Sequence, residues 1–180
     1  GRAWPTGLKR TPPSKDASVE FREVKNAARL ESLLELIGEI WPEVFIPIIG
    51  KEQVDYMLVH YQGRDAITAE MERGVRYFLI ENEGVYTGYF AYSLEEDRLF
   101  ISKVYLKKEL RGLGLSSQVF CYLEELALKN QRKKLFLHVN RFNKTAVEVY
   151  LHRGFEIVKT VDEPLGEKFF LNDYWMEKRL

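Results

Sequence analysis

The chain has a single cysteine, Cys121, among its 180 residues and cannot close a disulfide within itself. That removes the small cross-linked secreted class and gives no support to an oxidising compartment. It has no excess of either charge, since 27 Lys and Arg face 27 Asp and Glu. No net field draws it to nucleic acid or to an anionic membrane, so neither is expected as a partner. A local acidic pocket for a small cation would be hidden in such a balance. No run approaches the roughly 18 apolar residues that a spanning helix requires. No basic segment followed by an apolar one comes after Gly1, so a secretory leader is not indicated and a cytoplasmic location is the expectation. The three histidines, His60, His138 and His152, lack helical pairing and accompanying cysteines, and no metal site is expected. Cys121 lies in an apolar helical stretch and reads as a buried core thiol rather than a nucleophile.

What is present fits one domain with a substantial core. Residues 1–17 carry Pro5, Pro12 and Pro13 among Gly, Ser, Lys and Thr, and read as a flexible arm ahead of a single domain over 18–180. Val19 and Phe21, two apart, predict a strand over 18–24. Asn26 is a candidate N-cap, and Leu30, Leu33, Leu34, Ile37 and Trp41 follow at helical spacing until Pro42 ends or turns the helix. Val54, Met57, Leu58 and Tyr61 share a face of a second helix, and a short third covers 67–73. Three segments dense in β-branched and aromatic residues, 76–81, 85–93 and 98–106, predict an antiparallel meander with turns at 82–84 and 95–97. A helix over 116–130 places Val119, Phe120, Leu123, Leu126 and Ala127 on one side, with Ser116 as its candidate cap. A strand over 134–139 and a helix over 144–153 follow, with Gly154 where a left-handed C-cap belongs. Strands over 155–160 and 174–178, joined by a loop holding Pro164 and Gly166, close the chain. The fold class is α+β: a mixed, mostly antiparallel sheet with helices on both faces. Strands 98–106 and 134–139 are the one candidate parallel pair, joined by a right-handed crossover.

Two segments carry chemistry. Residues 106–116 read Leu-Lys-Lys-Glu-Leu-Arg-Gly-Leu-Gly-Leu-Ser, between a strand end and a helix start. Free backbone N–H groups and the helix dipole collect anions there. Gly112 and Gly114 remove the Cβ atoms that would hold a diphosphate off the backbone, and Arg111 adds a charge-assisted donor. An ordinary glycine turn is the competing reading. A Walker A loop is excluded because Gly114 is followed by Leu115 rather than Lys. A dinucleotide fingerprint is excluded because Ser117 stands at its third glycine and no acid closes the next strand. In the second segment, Asn143, Ala146 and Tyr150 share one helix face, offering an amide, a small residue and a phenol. Asn143 as a plain N-cap and Tyr150 as packing is the competing reading there.

In this order, Arg111-Gly-Leu-Gly114-Leu-Ser116 and Asn143-x-x-Ala146-x-x-x-Tyr150-x-x-x-Gly154-Phe155 resemble the paired motifs of the GNAT superfamily of N-acetyltransferases. Serine at 116 departs from the family's Gly or Ala but is also small. The resemblance implies an acetyl-CoA cosubstrate and no metal. It implies that the strand before the loop is bulged and splayed from its parallel neighbour. Backbone groups of Val104 and Leu106 would then meet the pantetheine arm, and the turn through Arg111, Gly112, Leu113, Gly114, Leu115 and Ser116 would hold the diphosphate. Asn143 would bond the arm, Tyr150 would be the general acid for the departing thiolate, and the Leu106 N–H would meet the polarised carbonyl. Many relatives carry a glutamate as base on the strand before the loop. Here Ser102 and Lys103 face the cleft, so the base stays open among water, Asp173 and Glu163. His138 on its strand reads as a hydrogen-bonded structural residue.

The acceptor side would be drawn from the first helix pair and the last hairpin. Trp41, Phe45, Tyr56, Asp173 and Tyr174 are its candidates, with Glu43 and Asp55 as further acids, and such walls suit a small primary amine or a polyamine. Residues 166–178 look like a branch that includes spermidine acetyltransferases. A homodimer is open, and so is a second function, a GNAT-fold module that binds acetyl-CoA without turnover.

Overall fold

Period-two alternation through the middle of the chain puts two different cores on the two faces of one sheet. In the computed structural model, which describes residues 19–180, the arm expected over 1–17 lies outside the described residues. The strands are β1 (Val19–Glu23), β2 (Arg76–Asn82), β3 (Val85–Leu94), β4 (Leu99–Leu106), β5 (Lys134–Asn140), β6 (Glu156–Leu165) and β7 (Phe169–Arg179), in spatial order β1-β2-β3-β4-β5-β7-β6. Among the described residues β4–β5 is the one parallel pair, as the sequence predicts. Along β2, Tyr77 and Leu79 enter the core under α1 (Ala27–Ile49), α2 (Lys51–His60) and α3 (Arg64–Glu72). Phe78 and Ile80 enter the opposite core, under α4 (Leu115–Lys129) and α5 (Lys144–His152). The mixed α+β class with helices on both faces is what the sequence pattern requires.

Several local expectations yield to tertiary packing. Asn26 caps α1 by accepting from the Arg29 N–H at 2.8 Å, but Pro42 does not end the helix, which runs through Pro42 and Pro47 to Ile49. The buried face explains it. Leu33, Leu36, Ile37, Ile40, Trp41 and Phe45 all pack inward, worth on the order of 10 kcal/mol in burial against roughly 3 kcal/mol for each interior proline. Tyr61 falls past the end of α2 and is exposed, while Gln53 joins Val54 and Met57 inside. Cys121 is exposed, not buried, because it sits off the stripe made by Val119, Phe120, Leu123 and Ala127. Between β6 and β7 the expected loop is a hairpin turn, with Pro164 paired to Phe170 inside the strands. An edge strand accepts a proline because the missing N–H faces away from the ladder.

The β2–β3 turn has Glu83 and Gly84 both at positive φ (52° and 79°), the geometry of a two-residue hairpin loop. Gly88 is needed for another reason. A Cβ there would lie 2.3 Å from the Tyr105 carbonyl oxygen and 2.9 Å from the Leu106 side chain, so β3 and β4 approach each other only without it. Gly88→Val should destabilise the fold by on the order of 2–3 kcal/mol through overpacking, read as a lowered midpoint in urea. An unchanged midpoint would show that β4 yields at no cost.

Candidate functional site

The site begins with one extra residue in β4. Ala91 pairs with Lys103 and Tyr92 with Ile101, so Ser102 is a bulge with no partner across the ladder. A one-residue insertion flips everything beyond it to the other face. Leu99 and Ile101 enter the α4 core, but Lys103 and Tyr105 turn toward the helices α1 to α3, and Val104 and Leu106 take the α4 side. The same bulge ends the pairing with β5, which spans only Leu99–Ile101 against Leu135–Leu137.

Beyond Ile101 the two parallel strands part. The Lys107 N–H donates to the Thr87 carbonyl at 2.9 Å, which makes that opposed pair hydrogen-bonded. By antiparallel alternation Leu106 and Val104 are then non-bonded positions toward β3, and their N–H and C=O groups point into the gap. The gap opens as a cleft of about 650 Å³. Val104, Leu106, Gly112, Ser116, Asn143 and Tyr150 line one part of it, and Trp41, Phe45 and Asp173 another.

At its mouth, a single 3-10 turn over Lys108–Leu110 leads to α4. Gly112 and Gly114 take positive φ (78° and 85°), and Gly114 rather than Ser116 is the N-cap, with no side-chain cap bond. Ser116 is the helix's second residue. Leu113 and Leu115 bury their side chains, so the turn presents main chain to the cleft. Arg111 departs from its expected role. Its guanidinium donates to the Leu106 carbonyl at 3.1 and 2.9 Å and binds both Glu43 carboxylate oxygens at 2.9 Å, and its N–H donates to the Lys108 carbonyl. It ties the loop to α1 instead of reaching outward. Arg153, which the sequence reading passed over, holds Ser117 at 2.6 Å across the first turn of α4 and brings a second guanidinium there.

Asn143 caps α5, its Oδ1 accepting the Ala146 N–H at 3.4 Å, and it also lines the cleft. The cap uses the oxygen and leaves Nδ2 as the donor. Tyr150 packs edge-on to Phe120 and Phe155, and burial pushes its pKa up to about 12. Burial also pushes the Asp173 carboxyl up to about 6, helped by the negative charge of Glu163. Tyr105 lines the same cleft, and its phenol is raised first by burial, then by Tyr150 and Asp173. No periodicity could have found Tyr105, because it faces the cleft only after the bulge.

The other candidates separate. Strand alternation turns Tyr174 into the α4 core while Asp173 and Leu171 face the cleft. Tyr56 lies outside the cleft lining and packs on Phe169 and His60. The further acids are already paired, Glu43 to Arg111 and Asp55 to Lys51 at 2.6 Å. His138 stacks on Trp175 at 4.8 Å, so ring contact rather than the expected hydrogen bond holds it. Burial lowers its pKa, then Arg98 at the far end of the β3–β4 hairpin. Lys103 is buried, donates to both Glu70 oxygens at 3.2 and 3.0 Å and to the Tyr77 hydroxyl, and has its pKa lowered by that burial despite Glu70. Among the described residues no group of three or more His, Cys, Asp or Glu could hold a metal ion.

The comparisons with known proteins agree with this geometry. No curated protein sequence matches the chain. Among solved structures, the PaiA N-acetyltransferase of Thermoplasma acidophilum in complex with coenzyme A is similar, with a TM-score of 0.75 at 19% identity over 91% of this chain and 99% of that one. So is Arabidopsis thaliana Naa50 in complex with the bisubstrate analogue CoA-Ac-MVNAL, with a TM-score of 0.62 at 23% identity over 91% and 99%. A GNAT family acetyltransferase of Elizabethkingia anophelis with acetyl-CoA bound has a TM-score of 0.60 at 14% identity over 92% and 100%. At such identities these structures speak for the fold. The family model, described as the acetyltransferase (GNAT) family, matches residues 30–155, a stretch that includes the bulged strand, the glycine turn and the whole Asn143-to-Phe155 motif. With that match and the splayed β4–β5 pair beside it, the chain belongs to the GNAT family of acetyltransferases.

Proposed function

We propose that the chain transfers an acetyl group from acetyl-CoA to a small primary amine that attacks the thioester directly. The observation that carries this reading is the unpaired edge of β4 beyond Ile101, which faces the gap and leads into the N-terminus of α4. The glycine turn fits the cosubstrate, since a Cβ on Gly112 or Gly114 would project into open space where a ligand can approach. When bound, acetyl-CoA supplies an activated acetyl carbonyl and a thiolate leaving group.

The residues divide the remaining work. Main-chain N–H groups from Gly112 to Ser116, at the positive end of the α4 dipole, hold the diphosphate, with Arg153 nearby. Backbone groups of Val104 and Leu106, together with Asn143 Nδ2, hold the pantetheine arm. Arg111 occupies the Leu106 carbonyl, so the Leu106 N–H is the group left to meet developing negative charge on the acetyl oxygen. Tyr150 keeps its proton at neutral pH, as an acid for a departing thiolate must. Asp173 is ionised at pH 7 and accepts the acceptor's proton. It is preferred to His138, which also lines the cleft but is held against the Trp175 ring at 4.8 Å.

Three measurements test this assignment. Tyr150→Phe should lower kcat in a thiol-release assay by about 10²-fold or more while coenzyme A still binds; an unchanged kcat removes Tyr150 from the role. Thiol release from no amine, with coenzyme A still bound, would favour the non-catalytic module. Gly114→Val places a branched residue at positive φ and fills the approach to the turn, so calorimetry should show coenzyme A affinity falling on the order of tenfold or more. Equal affinity would move the diphosphate elsewhere.

Asp173 gives a pH test with two readouts. Its folded pKa of about 6 lies above the 3.8 of an aspartate in the unfolded chain. The native chain therefore holds this proton over a range where the unfolded chain has lost it, and ionising it costs stability fully above pH 6 and not at all well below pH 4. Asp173→Asn should melt above the parent at pH 7–8, with the difference closing toward pH 4. Parent kcat should rise with pH through about 6 and then level, and the variant should lack that limb. A parent profile flat across this range would sink the base assignment.

A further inference from the structure

We infer that the acceptor is a small monoamine whose single ammonium is carried on an apolar body, and not a polyamine. The inference rests on the acetyl-transfer reading and narrows it. The acceptor end of the cleft is walled by Trp41, Val44, Phe45 and Ile49 of α1, Met57 of α2 and Leu171 of β7. Among the described residues lining the cleft, Asp173 is the one carboxylate. The acids that would have served a second ammonium are already spent on other cations: Glu43 on Arg111, Asp55 on Lys51, Glu70 on Lys103. Lys103 and Arg111 also line the cleft, each already paired with its own carboxylate, so neither pair offers a free acid to a second ammonium. A diamine would bring its distal ammonium to a mostly apolar wall where the neutral amide of Gln53, not a second carboxylate, is the polar group, whereas an alkyl or aryl body is drawn in.

The far end of the cleft limits size. The tip of the β6–β7 hairpin is clasped onto α2. Gln53 Nε2 donates to the Phe170 carbonyl at 3.0 Å, Tyr56 packs on Phe169 at 5.4 Å, and Lys168 pairs with Glu52. Gly166 leaves room for the Tyr56 hydroxyl, which a Cβ there would meet at 2.6 Å. The two elements that carry Met57 and Leu171 are thereby joined into a continuous wall, which suits a free amine better than the first residue of a peptide.

The test uses the full chain with acetyl-CoA and follows thiol release from butylamine, hexylamine, 2-phenylethylamine, 1,6-diaminohexane, spermidine and a pentapeptide beginning with leucine. Thermal shifts by each amine are measured in parallel. We expect kcat/KM to rise roughly threefold per added methylene among the monoamines, and 1,6-diaminohexane to fall at least tenfold below hexylamine. Equal or better use of spermidine, the diamine or the peptide overturns the inference. If no amine releases thiol but hexylamine stabilises the chain more than the diamine does, acetyl transfer fails while this inference stands; if neither stabilises it, this inference fails too. Ile49→Glu, at a partly exposed position, adds a second carboxylate to the wall and should narrow the hexylamine-to-diamine ratio at least tenfold. An unchanged ratio counts against the wall as the acceptor site.

Discussion

Beyond Ile101, β4 runs through the middle of a seven-stranded sheet with one of its edges unpaired. Backbone groups left this way are costly unless water, a side chain or a ligand satisfies them. The single inserted residue at Ser102 creates the situation, because it ends the β4–β5 ladder and reverses which residues face which core. Tyr105 and Lys103 reach the α1–α3 side only through that reversal, and Leu106 offers its N–H to the gap because of the same register. Gly88, pressed against Tyr105 and Leu106, lets β3 hold β4 in this course.

Two ion pairs fix the exposed strand and its loop to the helices. Lys103 is tied to Glu70 of α3 inside the protein, and Arg111 joins the Leu106 carbonyl to Glu43 of α1 at the surface. A buried pair contributes little net stability once desolvation is counted, but removing one partner leaves an uncompensated charge. Their contribution here is positional. They allow few alternative courses for the segment between the bulge and α4, where tolerance for misplacement is small.

The charges committed to positioning are the ones withdrawn from the acceptor end. A sequence-level count of aromatic residues and acids there is compatible with a polycation. The structure turns Tyr174 inward, places Tyr56 in the hairpin clasp, and pairs Glu43 and Asp55 with basic side chains. The acceptor end that remains is mostly hydrocarbon, with Asp173 as the carboxylate among the described lining residues. The proposed preference for an apolar monoamine rests on how the loop and hairpin are fastened.

The sequence alone determined the alternation of strands and helices, the hairpin at Glu83-Gly84, the left-handed C-cap glycine at 154, the glycine turn at 112–114, and the paired motifs that mark the family, because each depends on local dihedral preference or short-range spacing. The same locality misled it at Pro42, where burial of a long apolar face outweighed a helix breaker, and at Cys121, one step off the buried stripe. The family resemblance implied a bulge in β4, but the sequence could not place it at Ser102, nor supply the commitment of Arg111 to Glu43 or the turn of Tyr105 into the cleft that holds Tyr150 and Asp173. Those depend on contacts between residues as much as 68 positions apart, and only the packed sheet brings such residues together.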